Sequence, residues 1–219
     1  MRFTWYGHAA FLVEAEGKRI ILDPYTSTAA GTYEPIAEPA DVVVASHENP
    51  KYHSGLSELV PPFRVLLATE FPPEGEEAAG LRFQAIPVFE TPEKLPGDEV
   101  TIVHFRAEQL HVVFLGDLGH ALSPEELDRL GGADVLLLPA GGPPTIDFPL
   151  IPGLIEAIDP AVIIPMHFLT PKINLKLQPV DRLFDALPDW PVDRVGGPSV
   201  ELDRAALRPR RIVLLEHAR

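Results

Sequence analysis

Short apolar runs, separated by turn residues, dominate the first half of the chain and predict β-strands. Residues 41–45 contain three consecutive valines and are typical of a strand that is buried on both faces. Turn residues at 16–18 and 107–109 predict two hairpins between neighbouring runs. The predicted strands cover residues 3–5, 10–14, 19–22, 41–45, 64–68, 81–89, 99–106 and 111–115.

Helices are predicted mainly in the second half, between further strands. Ser123 has the features of a helix cap, because proline follows it and Glu126 lies three residues further on. This helix should end at Leu130, before two glycines. Further helices are predicted over residues 152–158 and 179–186, and strands over 134–138, 161–165, 199–202 and 211–216. The pattern therefore predicts a mixed α/β fold.

Side chains that commonly bind metals follow three of the predicted strands. His47, Asp117 and His167 each lie two residues beyond a predicted strand end. Because loops at strand ends converge over the edge of a sheet, we expect these three side chains to meet in a metal-binding cup. Asp23 also ends a strand, and two interpretations of it stay open: a turn residue before Pro24 or a member of the site.

Charge and composition narrow the range of functions. The 32 acidic and 18 basic residues among 219 give a net charge of −14, which repels phosphate backbones and disfavours nucleic acid as a partner. There is no cysteine, so His, Asp or Glu would have to hold any metal. The N-terminus lacks a signal-peptide pattern and no apolar run reaches the ~20 residues of a membrane span. We therefore expect a soluble cytoplasmic protein that does not contact membranes.

One further compositional feature concerns the source of the protein. The chain has 25 prolines, whereas asparagine and glutamine together number five. Few thermolabile amides and many loop prolines indicate a thermophilic organism.

Five segments of the chain resemble motifs of one enzyme superfamily, in the same order. They are residues 6–13 with Gly-His-Ala-Ala, 20–25 ending in Asp-Pro-Tyr, 114–120 with Gly-Asp-Leu-Gly-His, 134–147, and 163–168 with Pro-Met-His. Together they resemble the metallo-β-lactamase superfamily, in particular small metal-dependent hydrolases similar to the ascorbate-6-phosphate lactonases. The resemblance covers nearly the whole length. It implies a single domain over residues 1–219 with a four-layer αββα sandwich and a site at one edge of the two sheets.

The ligand loop of this chain departs from the family pattern. The family has His-x-His-x-Asp-His, whereas residues 46–53 read Ser-His-Glu-Asn-Pro-Lys-Tyr-His. The positions of the second His, the Asp and the last His are occupied by Asn49, Lys51 and Tyr52. Glu90 stands where the family has a further His.

Carried over residue by residue, the resemblance leaves His47, Asp117 and His167 as metal ligands. His53 lies one residue too late to be a ligand unless the loop bulges. The second metal position is lost in this interpretation, so the resemblance implies at most one divalent metal. Nitrogen and oxygen ligands suit zinc, manganese or iron.

The first hypothesis is a metal-dependent hydrolase that acts on a small lactone, ester or phosphoester. Its substrate would be a small molecule, and Glu90 or His53 would carry protons. Lys51, with His8, would face the negative charge that develops on the substrate. The residues expected to face the substrate are His8, Asn49 and Tyr52.

The second hypothesis is a catalytically inactive binding or scaffold protein that keeps the fold and holds no metal. Lys51 would then pair with Asp117 or Glu90 and replace the charge of a metal. Both hypotheses stay open on the sequence alone, and the sequence does not indicate an oligomeric state. A nuclease of the same superfamily is disfavoured by the negative charge.

Overall fold

The structure, a computed structural model that describes residues 1–219, is built from two β-sheets packed against each other. The strands are β1 (Arg2–Gly7), β2 (Ala10–Ala15), β3 (Lys18–Leu22), β4 (Val42–Ala45), β5 (Arg64–Leu67), β6 (Glu76–Ala78), β7 (Leu81–Phe89), β8 (Glu99–Ala107), β9 (Leu110–Phe114), β10 (Val135–Pro139), β11 (Val162–Met166), β12 (Val192–Arg194), β13 (Ser199–Glu201) and β14 (Arg211–Leu214). The helices are α1 (Ser27–Ala30), α2 (Pro124–Leu130), α3 (Ile151–Ile158) and α4 (Asp181–Ala186).

The order of strands in each sheet explains where the strand ends meet. The six-stranded sheet has the order β13-β1-β2-β3-β4-β5, and β3, β4 and β5 run parallel. The eight-stranded sheet has the order β12-β14-β11-β10-β9-β8-β7-β6, and β9, β10 and β11 run parallel. Parallel neighbours end at the same edge of a sheet, so the loops after β4, β9 and β11 can share one site.

Successive side chains of the first strands point to opposite faces of the six-stranded sheet, and both faces are covered by apolar residues. Phe11 and Val13 of β2 join the core that lies between the two sheets. Leu12 points the other way and packs in a smaller cluster with Tyr25 and Ile36. This smaller cluster is covered mainly by loops and by α1, which has four residues.

Helices α2 to α4 contribute buried side chains to the core of the eight-stranded sheet. The predicted cap of α2 is present: the backbone N–H of Glu126 donates to Ser123 Oγ, and the backbone N–H of Ser123 donates to Glu126 Oε2 at 2.6 Å. The predicted four-layer sandwich of the metallo-β-lactamase type is confirmed, with one outer layer formed mostly by loops. The pattern missed β6, β12 and α1, because three or four residues carry too little periodicity to be recognised.

No helix in the structure combines the length and the apolar character that crossing a membrane would require.

Candidate metal centre

Two histidine side chains meet at one buried carboxylate. Oδ2 of Asp117, after β9, lies 2.8 Å from Nε2 of His53, and its Oδ1 lies 3.5 Å from Nε2 of His167, after β11. All three side chains are almost completely buried. Asp117 therefore lies at the centre of a cluster drawn from three different loops, and the strand-end pattern predicted that Asp117 and His167 would meet.

His53 reaches the cluster because the ligand loop folds into a tight turn. The carbonyl oxygen of Asn49 accepts the backbone N–H groups of Tyr52, His53 and Ser54 at 2.8–3.1 Å. This turn directs the side chain of His53 into the cluster, where it is almost completely buried.

Asp23 belongs to the site, which decides between the two interpretations of this residue. Its carboxylate has no exposed surface and accepts a hydrogen bond from Nδ1 of His53 at 2.8 Å. Both the backbone N–H and the hydroxyl of Ser46 also donate to it, each at 2.6 Å. Asp23 thus fixes the imidazole of His53 with Nε2 directed at Asp117.

These contacts shift the pKa values of the central pair in opposite directions. Burial alone would lower the pKa of His53, but the charge of Asp117 and the hydrogen bonds to both carboxylates outweigh it and raise the pKa to about 10. Burial would raise the pKa of Asp117, yet the charges of His53 and His167 hold it well below its usual range. Asp117 is therefore ionised at neutral pH and can serve as an anionic ligand.

The imidazole of His8 lies beside this cluster and has no hydrogen-bond partner. Its ring centroid is 4.3 Å from that of His167 and 4.9 Å from that of His53. Both ring nitrogens of His8 are buried and unpaired, as are Nδ1 of His167 and Oδ1 of Asp117. An unsatisfied buried polar group costs about 1–3 kcal/mol, so four of them in one place indicate a site built to receive a ligand.

The backbone around the site is strained. His8, Asp23 and His167 have φ values of 50°, 41° and 51°, in the left-handed region that residues other than glycine rarely adopt. Each such residue costs about 1–3 kcal/mol, and strain of this kind concentrates at functional sites.

His47 joins the cluster from the opposite side. One ring nitrogen of His47, one of His53 and an oxygen of Asp117 all lie within 4.8 Å of one another. Nδ1 of His47 is 3.1 Å from the hydroxyl of Ser46. Burial lowers the pKa of His47, with a further contribution from His53, and keeps its imidazole neutral.

A cavity of about 310 Å³ opens beside the cluster. The residues that line it are His8, Asn49, Tyr52, His53, Glu90, Asp117, Pro144, His167, Leu175, Lys176 and Leu177. It therefore contains all three residues that were expected to face the substrate. Burial, and then the charge of Asp117, raise the pKa of Glu90, so this carboxyl group retains a proton to higher pH than usual.

Lys51 is not in the cup, contrary to the expectation. Its side chain is exposed and its Nζ lies 4.7 Å from the centre of the Tyr52 ring. It does not line the cavity, and it forms no ion pair with Asp117 or Glu90. The turn closed by Asn49 directs position 51 towards solvent, which the sequence pattern did not reveal.

Two residues of the site were missed by sequence reasoning. Lys176, in the loop between β11 and α4, is the one lysine on the cavity wall. His120 accepts a hydrogen bond from the backbone N–H of Phe89 at 3.2 Å and holds the strand end that carries Glu90. His120 lies within the Gly-Asp-Leu-Gly-His motif, so that motif was a signal for it. No pattern marked Lys176, which lies nine residues after His167 and outside every motif.

The residues present fit a divalent cation. Imidazole and carboxylate donors suit zinc, manganese or iron, and the unpaired buried atoms provide free coordination capacity. The His53 imidazole held by Asp23 has the arrangement in which an outer carboxylate orients a metal-binding histidine.

Comparison with known proteins identifies relatives that share this fold and are described as metal-dependent hydrolases. The sequence profile of the Beta-lactamase superfamily domain matches residues 2–167. A candidate Zn-dependent hydrolase of the metallo-beta-lactamase superfamily from Thermotoga maritima is 31% identical, with a TM-score of 0.78 and 98% of each chain covered. A UPF0173 metal-dependent hydrolase of Methanopyrus kandleri is 26% identical over 195 residues, which covers 78% of this chain and 85% of the relative.

A more distant structure resembles the chain in its fold alone. Igni18, a metallo hydrolase of Ignicoccus hospitalis, is 19% identical with a TM-score of 0.66, and 100% of this chain and 96% of the other are covered.

Fold, site and relatives thus define a class, the metal-dependent hydrolases of the metallo-β-lactamase fold. The chain belongs to the metallo-β-lactamase superfamily, as the profile match over residues 2–167 and the Thermotoga maritima relative establish.

Proposed function

We propose that the protein is a cytoplasmic hydrolase that uses one divalent cation to cleave a small lactone, ester or phosphoester. The observation that carries this proposal is the buried carboxylate of Asp117 with Nε2 of His53 at 2.8 Å and Nε2 of His167 at 3.5 Å. The cluster borders a cavity large enough for a small molecule and too small for a polymer.

The hydrogen bonding of the residues around His47 favours a single cation over two. A second ion there would need Asn49 as a ligand, but the amide oxygen of Asn49 accepts the backbone N–H of Tyr52 at 3.3 Å. Asp117, His53 and His167 are the residues that would hold the ion, with His47 as the remaining predicted ligand. Zinc, manganese and iron all suit these donors.

A bound divalent cation lowers the pKa of a coordinated water and polarises the carbonyl or phosphoryl oxygen of a substrate. Glu90 is the residue we assign to proton transfer, because it lines the cavity and its pKa is raised towards neutrality by burial and by Asp117. His53 is less suited to that role, since Asp23 and Asp117 engage both of its ring nitrogens.

Substrate binding is assigned to the polar residues of the cavity wall. Lys176 would attract an anionic group of the substrate, the role that the sequence suggested for Lys51. The Tyr52 hydroxyl donates to Oδ1 of Asn174 at 3.0 Å, so its ring is held in place against His8 as a rigid part of the wall.

The alternative of an inactive scaffold started from the four replaced ligand positions, with Lys51 as the replacement for metal charge. The Lys51 part of this hypothesis is wrong, because Lys51 is exposed and forms no ion pair with Asp117 or Glu90. The metal-dependent hydrolases among the relatives favour the hydrolase over the scaffold.

The test uses the protein stripped with a chelator and reloaded with zinc, manganese or iron(II). Hydrolysis of p-nitrophenyl acetate, bis(p-nitrophenyl) phosphate and a γ-lactone is measured before and after loading. We expect activity on at least one class when metal is bound, and a loss of kcat/KM on the order of 100-fold or more in Asp117→Asn. Asp128→Asn, an exposed carboxylate on α2, is the matched control and should be unchanged. Activity that survives both chelation and Asp117→Asn, or a loaded protein inactive on all three classes, would contradict the proposal.

A further inference from the structure

The turn between β1 and β2 carries His8 into the space between the two sheets. Gly7 and His8 both have positive φ values, 116° and 50°, which reverse the chain sharply at the end of β1. The carbonyl oxygen of His8 accepts hydrogen bonds from Trp5 Nε1 at 3.0 Å and from the backbone N–H of His167 at 2.9 Å. His8 is therefore held rigidly next to a strand end of the other sheet.

The imidazole of His8 is enclosed without any hydrogen bond. It has no exposed surface, and both ring nitrogens lack partners. A neutral imidazole has one donor and one acceptor, so its hydrogen-bonding capacity is entirely unused. Tyr52 and His167 pack against the ring, with centroids at 5.3 and 4.3 Å, and fix its orientation towards the cluster.

Four buried, unpaired atoms surround the cluster. Of the six buried, unpaired side-chain atoms in the protein, four belong to His8, Asp117 and His167. One ring nitrogen from each of His8, His53 and His167 lies within 4.8 Å of the other two. Small side-chain movements would bring three such atoms to the bond length of roughly 2.0–2.1 Å from one ion.

We propose that His8 is a metal ligand, and that the cation lies on the side of Asp117 that faces His8, His53 and His167. This inference rests on the proposed function only in requiring that an ion is bound. His8, from a turn outside the ligand loop, would take the place of the aspartate that the family has in that loop. The donor set is then three imidazoles and one carboxylate, a combination that first-row divalent cations accept, and His53 would release its second ring proton to solvent when the ion binds.

The first experiment compares two single-imidazole deletions in the full-length chain. Zinc affinity of wild type, His8→Ala and His47→Ala is measured by competition with a chromophoric chelator, and bound metal by elemental analysis. We expect His8→Ala to weaken zinc binding on the order of 100-fold or more, since even outer partners of ligands contribute 10–100-fold. His47→Ala removes the ligand of the competing group His47, His53 and Asp117, and it should weaken binding by less than His8→Ala does, by under about tenfold. Thermal unfolding of each metal-stripped variant establishes that it is folded.

The second experiment covers the case in which His8→Ala does not fold. X-ray absorption fine structure counts the imidazole ligands of zinc in the loaded wild type and in loaded His47→Ala. Three imidazoles are expected in both proteins, whereas an ion held by His47, His53 and Asp117 would show two in the wild type. A third imidazole that is lost in His47→Ala would belong to His47 and would overturn the assignment of His8.

The outcomes separate this inference from the proposed function. Tight zinc binding that is unchanged in His8→Ala, or is lost mainly in His47→Ala, overturns the assignment of His8 and leaves the metal-dependent hydrolase intact. Two imidazoles in the absorption spectrum have the same meaning. A wild type that takes up no metal overturns both.

Discussion

Nδ1 of His53 lies 2.8 Å from Oδ2 of Asp23, and neither side chain has more than a trace of exposed surface. The same carboxylate accepts two hydrogen bonds from Ser46, so it is fully engaged. This contact orients the imidazole whose other nitrogen points at Asp117, so the proposed metal ligand His53 is already held in position in the metal-free protein.

Asp23→Asn should weaken metal binding on the order of 10–100-fold without removing a direct ligand. In wild type the two oxygens of Asp23 accept three hydrogen bonds from Ser46 and His53. The asparagine side chain has only one accepting oxygen, and its NH₂ group would lie against hydrogen-bond donors. The His53 ring therefore loses its fixed orientation. Zinc competition against a chelator measures the effect, and Asp128→Asn on the surface is the control. Wild-type affinity in Asp23→Asn would show that Asp23 does not position His53.

Lys176→Ala should raise KM for an anionic substrate by about 3- to 10-fold and leave kcat within about twofold. The expected loss is modest because the side chain is exposed and its charge is screened by solvent. The measurement compares substrates with and without a carboxylate, and only the charged one should respond. Lys51→Ala is the matched control, since Lys51 lies outside the cavity. An equal rise in KM for both substrates would exclude a charge-specific role of Lys176.

A buried histidine pair on the eight-stranded sheet should make the protein sensitive to acid. Nδ1 of His104 on β8 lies 3.1 Å from Nε2 of His111 on β9, and the guanidinium of Arg106 is 3.2 Å from the other nitrogen of His111. Burial, and then the neighbouring charges, lower the pKa of both histidines to about 4. The folded protein therefore keeps both rings neutral at pH values where the unfolded chain, with a pKa of about 6.5, is protonated.

The free energy of unfolding should therefore fall as the pH drops from about 6.5 to about 4, because the unfolded chain binds more protons in that range. Above pH 6.5 the pair contributes no slope. Urea unfolding of wild type and His104→Leu at several pH values measures the effect, and the difference between the two proteins isolates the pair from the histidines of the site. Parallel pH profiles would contradict this account.

Much of the fold and the centre of the site could be predicted from the sequence. The apolar runs locate most strands within one or two residues, because central strands such as β4, β9, β10 and β11 are buried on both faces and need continuous apolar segments. The sequence pattern also predicts that Asp117 and His167 lie close together, because neighbouring parallel strands end at the same edge of a sheet.

The details of the ligand loop could not be predicted. Its register depends on three backbone hydrogen bonds to the carbonyl of Asn49, and this turn puts His53 inside and Lys51 outside. A residue-by-residue sequence alignment contains no information about such backbone hydrogen bonds, so it cannot reveal which side chains the turn directs inwards. The exact surroundings of His8 were equally hidden, because they depend on the contact between two sheets that are far apart along the chain.

The hydrogen bond from the backbone N–H of His167 to the carbonyl of His8 joins one sheet to the other at the rim of the cavity. The proposed cation pocket therefore forms only when the two sheets pack against each other. In a partly folded chain with separated sheets, the imidazoles would lie far apart and would bind a cation weakly. Any ion that binds this pocket therefore stabilises the docked state as a whole, by an amount that grows with the logarithm of its free concentration.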